Sequence, residues 1–164
     1  CSVGDDENTW DYWRPNEGQV ATGAFVSSDC RCMGSIPNLR FFGDCVYRVT
    51  FKMITDGMSK TFLIGEKHVP TGWLGSERVS DCSAYNPDHL QRFGRFAGQK
   101  HPLTHPGDYG TPYWLSFGSW HPGICQFVMG DGSVRALDNT IDTMVLSHLA
   151  NRMDGNVLSA DLIE

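Results

Sequence analysis

Runs of basic residues, C-x-x-C cysteine pairs and long apolar stretches are all missing from this chain of 164 residues. Thirteen Lys and Arg stand scattered against nineteen Asp and Glu, a net charge of −6. With no Lys/Arg cluster to track phosphates, nucleic acid and anionic membrane surfaces are poor partners. No stretch approaches the roughly 18 apolar residues that a spanning helix needs, so this chain contains no transmembrane segment. None of the six cysteines forms a C-x-x-C pair, which removes the main cue for a zinc ribbon, a thioredoxin-like site or haem attachment. A Gly-x-Ser-x-Gly elbow and a phosphate loop ending in Lys-Ser or Lys-Thr are absent too. His101 and His105 are four apart, but each precedes a proline, which pushes both out of the helical geometry that would put them on one face for a metal. Asp56 to Glu66 fails as a calcium loop, because Met58 and Lys60 occupy ligand positions. We therefore expect no catalytic residue, no metal and no cofactor.

Glycine and aromatic residues are plentiful: 18 Gly, nine Phe, five Trp and five Tyr. That mixture suits short strands, tight turns and shaped loops better than a helix bundle. Scattered cysteines in even number fit an oxidising compartment and disulfide-braced loops, although fifteen pairings are open. Cys1 opens the chain, where processing, a missing upstream piece or, as a minor reading, lipid attachment is expected. Residues 1–20 read as an extended acidic arm and 68–114, rich in Pro and Gly, as a long loop insertion on a single domain spanning 1–164. Strands are expected at Ala24–Ser27, at Val46–Met53, at Thr61–Glu66 as a central strand, and at Val157–Ile163 as an edge.

The strongest local pattern is near the end. Ile124, Gln126 and Val128 alternate with Cys125, Phe127 and Met129, and Gly130-Asp131-Gly132-Ser133 turns the chain back into Val134–Leu137. This predicts a β-hairpin with Asp131-Gly132 as its two-residue loop. Ile141, Met144, Val145, His148, Leu149 and Arg152 then recur at helical spacing, for a helix of about three turns started by Asn139, Thr140 or Asp142. The fold class that results is α+β: an antiparallel sheet of four to six short strands, one C-terminal helix and long braced loops. Glu66 closes an apolar strand and needs a partner: a backbone turn, an Arg or His121.

His121, nine residues, then Asp131-Gly132 resembles the H-X9-DG signature of a large pilin-like family, abundant in planctomycetes, whose function is poorly defined. Phe117-Gly118-Ser119 before it and the Ile141-Asp142 helix after it match that family's surroundings. A second block fits as well: Ile54-Thr55-Asp56-Gly57-Met58-Ser59-Lys60-Thr61, then Ile64-Gly65-Glu66, with Lys60 where the family more often has Asn. The resemblance implies the head of a prepilin- or pseudopilin-related protein, and its signature residues here are Asp56, Gly57, Ser59, Thr61, Glu66, His121, Asp131 and Gly132. Straight strand geometry separates His121 from Asp131 by about 30 Å, so the signature reads as two structural devices rather than one ion site. Asp131-Gly132 sets a turn, Asp56 bonds its own turn, and His121 ties to Glu66 or to the Asp56 turn.

The function expected from this resemblance is a non-enzymatic structural subunit of an extracellular or cell-surface assembly. Its partners are other protein subunits, copies of itself included. Trp73, Tyr85, Tyr109, Tyr113 and Trp114 are the candidate contact residues; the plainer alternative is that these rings fill the core beneath a loop. The rival reading is a secreted carbohydrate- or divalent-cation-binding module built from the same rings and acids.

Overall fold

The computed structural model describes residues 2–5, 22–25, 49–76, 81, 90–110, 113–156 and 158. Its strands are β1 (Ser2–Asp5), β2 (Phe62–Gly65), β3 (Arg95–Ala97), β4 (Ile124–Met129) and β5 (Val134–Asp138); its helices are α1 (Leu90–Phe93) and α2 (Thr143–Ala150). β2, β4 and β5 form an antiparallel sheet with β4 in the middle, and β1 pairs with β3 in parallel. Residues 116–118 join the two sheets. Ser116 bridges Phe96 of β3, and Phe117 bridges Lys67, just beyond β2. The α+β class holds, with one C-terminal helix on an antiparallel sheet of short strands.

Alternation along β4 decides where the core lies. Cys125, Phe127 and Met129 point inward and are fully buried. Phe127 stacks on Phe62 at 4.1 Å between centroids and meets the edge of Phe117 at 5.0 Å. Leu137 of β5 and Leu146, Leu149 and Ala150 of α2 close the other side of this cluster. Burying three such rings removes several hundred Å² of apolar surface from water and supplies the largest single share of stability.

Several expectations are corrected. β2 is an edge of its sheet, and Ile64 on it stays 49% exposed. An all-apolar run therefore marked a strand covered on one face, not a central one. Phe51–Met53 is a 3₁₀ turn, not a strand. Ala24 and Phe25 lie outside any strand, and the rest of the expected strand at Ala24–Ser27 is outside the described residues, as is Val46–Arg48. Of Val157–Ile163 only Leu158 is described, buried in the core and not in a strand. The acidic arm begins as β1, and Asp5 in it is buried. Within residues 68–114, α1 and β3 form, and Ala97 and Leu103 join the core.

The hairpin loop has three residues rather than two. Gly132 N–H donates to Met129 O and Met129 N–H to Ser133 O, so Gly130, Asp131 and Gly132 make a turn closed by a left-handed residue, Gly132 at φ +84°. Helix α2 is also shorter than expected, eight residues, capped by Asp142 Oδ1 accepting from Met144 N–H at 2.7 Å and Val145 N–H at 3.3 Å. Its buried face is Leu146, Ser147, Leu149 and Ala150, while Met144 is exposed. Disulfide bracing is not seen: Cys125 is a free, buried thiol whose pKa burial pushes up to about 12, and the other five cysteines lie outside the described residues.

Candidate functional site

The two sequence blocks meet in space. The chain from Gly57 to Thr61 makes a 3₁₀ turn at Met58–Lys60, reached through Gly57 at φ +107°. The β4–β5 hairpin turn lies on top of it: Gly130 N–H donates to Thr61 O at 2.9 Å and Asp131 N–H to Met58 O at 3.0 Å. This contact needs glycine, because a Cβ on Gly130 would stand 2.7 Å from the Met58 carbonyl oxygen. Thr61 is buried, with its hydroxyl donating to Gly57 O at 3.2 Å. Ser59 sits half-buried in the same turn, and Lys60 Nζ donates to Leu158 O.

Asp56 does not bond its own turn, as the sequence suggested. Its carboxylate reaches across the fold and accepts from Asp154 N–H at 2.6 Å and Gly155 N–H at 3.0 Å, beyond the end of α2. The adjoining backbone is tied in parallel, Thr55 N–H to Arg152 O at 2.8 Å. Arg152 is fully buried; its guanidinium donates to Gly23 O at 2.7 Å, and burial lowers its pKa. Asn151 Nδ2 donates to Asp5 Oδ2 at 2.7 Å. The loop after α2 thus holds both β1 and the Asp56 segment.

Glu66 works as a strand switch. In a regular antiparallel pair a residue's N–H and C=O point to the same neighbour. Here Glu66 N–H donates to Gln126 O at 3.1 Å, but its C=O turns the other way and accepts from Gly118 N–H at 3.1 Å. The Glu66 carboxylate fills the vacated place: Oε2 accepts from Gln126 N–H at 2.7 Å. The other oxygen, Oε1, lies 3.1 Å from His121 Nε2. Of the two candidate ties for His121, the one to Glu66 is present. Gly65, one residue earlier, lets the rings close over the sheet, since a Cβ there would meet Phe127 at 2.5 Å and Phe117 at 2.7 Å.

A bend at His121–Gly123 brings His121 back to the level of Gln126. Ser119 Oγ holds it by donating to Ile124 O at 2.7 Å and accepting from His121 N–H at 2.9 Å, with Gly123 at φ +74°. Asp131 stands five residues further along, about 16 Å at strand rise, so the bend does not bring the two ends of the signature together. Asp131 instead accepts from its own turn, Ser133 N–H at 2.9 Å and Ser133 Oγ at 2.6 Å. Those bonds, the hydroxyl first, hold its pKa below the ordinary 3.8. Among the described residues, no three His, Cys, Asp or Glu converge as metal ligands, and no helix is long and apolar enough to cross a membrane.

Of the candidate contact rings, Tyr109 is half-exposed with its hydroxyl on Thr71 O, whereas Tyr113, Trp73 and Trp114 are partly buried, the two indoles 6.1 Å apart. Tyr85 lies outside the described residues. Sequence reasoning passed over Trp120, half-exposed and pinned through Nε1 to Val69 O, and Leu74, 70% exposed. It also passed over the bonds of Asn151 to Asp5 and of Arg152 to Gly23, which span more than a hundred residues and leave no local pattern.

Fold and site together define a small α+β domain whose distinguishing residues brace the backbone. The chain belongs to a family described as a protein of unknown function (DUF1559), whose model matches residues 2–144. No curated protein and no solved structure matches it.

Proposed function

We propose that this domain is a non-enzymatic structural subunit of an extracellular or cell-surface assembly, of the pilin- or pseudopilin-like kind that its H-X9-DG signature resembles. One observation carries the reading. Every carboxylate of the signature is occupied by its own chain: Asp56 by Asp154 and Gly155, Glu66 by Gln126 and His121, Asp131 by Ser133. Groups of the kind that serve as acids, bases or ligands elsewhere act here as hydrogen-bond braces, so the signature maintains a shape. The product of that shape is its surface, which carries Leu74, Tyr109 and Trp120 as exposed apolar and aromatic groups.

Antibody labelling of intact cells of the source organism, with and without mechanical shearing, tests this. The domain is expected on the outside and in the sheared fraction, and Asp56→Ala and Glu66→Ala are expected to lower its melting temperature and its surface abundance together. Labelling only after lysis overturns the reading, as does either variant keeping the wild-type melting temperature.

A further inference from the structure

One edge of the three-stranded sheet is β5. Gln126 turns its backbone N–H and C=O toward Glu66 of the chain leaving β2. Its opposite residue on β5 is Ala136, so at that level β4 and β5 share no hydrogen bond. Alternation then fixes the rest. Val134, Ala136 and Asp138 aim their N–H and C=O groups away from β4, and no described strand lies on that side. Among the described residues, only the Asp138 carbonyl of these groups is used, by Ile141 N–H at 3.0 Å.

Edge strands of natural proteins carry guards such as Lys, Pro or a bulge. β5 has no Lys, Pro or bulge, its one inner-face charge being Arg135 opposite Phe127: its register with β4 is unbroken over five residues, and its outward side chains are Val134, 64% exposed, Ala136 and Asp138. The one charge that faces outward is turned back on its own chain, Asp138 Oδ1 accepting from Thr140 N–H at 2.7 Å and Thr140 Oγ1 at 2.6 Å.

We propose that β5 is an interaction edge that pairs antiparallel with β5 of a second copy of this chain, about a two-fold axis at Ala136. The occupant follows from the hydrogen-bond pattern. With Ala136 opposite its own equivalent, each Ala136 N–H meets the other's C=O, and each Asp138 N–H meets the C=O of Val134. The same face of both sheets stays outward, as a shared core side requires. A methyl opposite a methyl lets the backbones close, and the three-stranded sheet becomes one continuous sheet of twice that width. This deepens the assembly reading by naming one of its contacts and rests on it for its purpose, not for its geometry.

The test is sedimentation equilibrium of the whole chain from about 1 µM to 1 mM, the range of a small, transient interface, with backbone amide exchange at both ends. The expected result is a dimer that forms as concentration rises, with the Ala136 and Asp138 amides slowing while Arg135 and Leu137, already bonded to β4, do not change. Ala136→Lys should abolish dimerisation with the melting temperature kept, and Gln99→Lys, an equal change of charge on an exposed residue outside this sheet, should leave it intact. If Ala136→Lys does not fold, Val134→Lys decides in its place. A wild type that stays monomeric throughout, or a dimer that survives the lysine, overturns the proposal. Surface labelling retained without dimerisation removes only this contact, whereas dimerisation of a domain found only after lysis removes only the assembly reading.

Discussion

Asp56-Gly57 and Asp131-Gly132 are the same dipeptide put to opposite uses. At Asp131 the carboxylate is exposed and reaches two residues, to Ser133, so it shapes only its own turn. At Asp56 it is buried and reaches 98 and 99 residues, to Asp154 and Gly155, so it fastens the segment before β2 to the loop after α2. The glycines differ in parallel. Gly132 supplies the left-handed step that closes a hairpin, whereas Gly57 at φ +107° swings the chain into a 3₁₀ turn on which that hairpin rests. A dipeptide therefore records the backbone freedom of a site but not what its carboxylate will hold.

Mutation can break this contrast, starting where the effect is largest. Phe127→Ala removes the ring at the centre of the Phe62–Phe117 cluster, under both turns, and is expected to cost about 3–5 kcal/mol in chemical denaturation. Asp56→Ala removes the acceptor of two part-buried backbone N–H bonds at a buried carboxylate and should cost about 1–3 kcal/mol, a fall of several degrees in melting temperature for a chain of this size. Asp131→Ala leaves its partners in water and should move the melting temperature no more than an ordinary surface substitution. Equal losses at Asp56 and Asp131 would sink the distinction. Gly130→Ala should cost about 1–3 kcal/mol through its clash with the Met58 carbonyl, and would be harmless only if the hairpin does not rest on that turn.

Acid sharpens the same contrast at the smaller end of the scale. His68 is buried, with Nε2–H on Asp108 O at 3.1 Å, and burial holds its pKa below the ordinary 6.5. A lowered native pKa means that the unfolded chain takes the proton first, so the stability present above pH 6.5 is lost as pH falls below it. Asp131 and Asp138 are lowered from 3.8 by Ser133 and Thr140, so their contribution persists until the pH drops below that value. Loosening of the 68–108 region is expected first, in mild acid, and weakening of the hairpin only in strong acid. Amide exchange from pH 7 to pH 3 reads both, and His68→Gln should remove the earlier phase.

How much of this was legible in the sequence follows the reach of each interaction. β4, β5 and the capped start of α2 are written in alternation, Gly-Asp-Gly and Asp142, all signals spanning a few residues. The hairpin loop was placed one residue short because the third position depends on the G1-type closure at Gly132, which Asp-Gly alone does not specify. β2 was recognised as a strand but misplaced at the centre, since its coverage comes from Phe127 and Phe117, more than fifty residues away. The parallel pairing of β1 with β3 left no trace, because a parallel partner is set by tertiary packing rather than by a turn. In the site, the need of Glu66 for a partner followed from the cost of an unpaired carboxylate, but not its substitution for a backbone carbonyl. Arg95, buried and with its pKa pushed down to about 9, sat unnoticed inside what read as a loop.

The clasp between Asp56 and the residues after α2 also sets a timetable for synthesis. At the usual pace of about 5–20 residues per second, Asp154 leaves the ribosome some 5–20 seconds after Asp56. Throughout that interval the Ile54–Gly57 segment lacks its partners after α2, and for most of it β2 has no β4 beside it. A nascent chain of this protein must wait for the residues after α2 before this clasp can close, with Phe62 and Ile64 open meanwhile to any chaperone that recognises bare apolar strands.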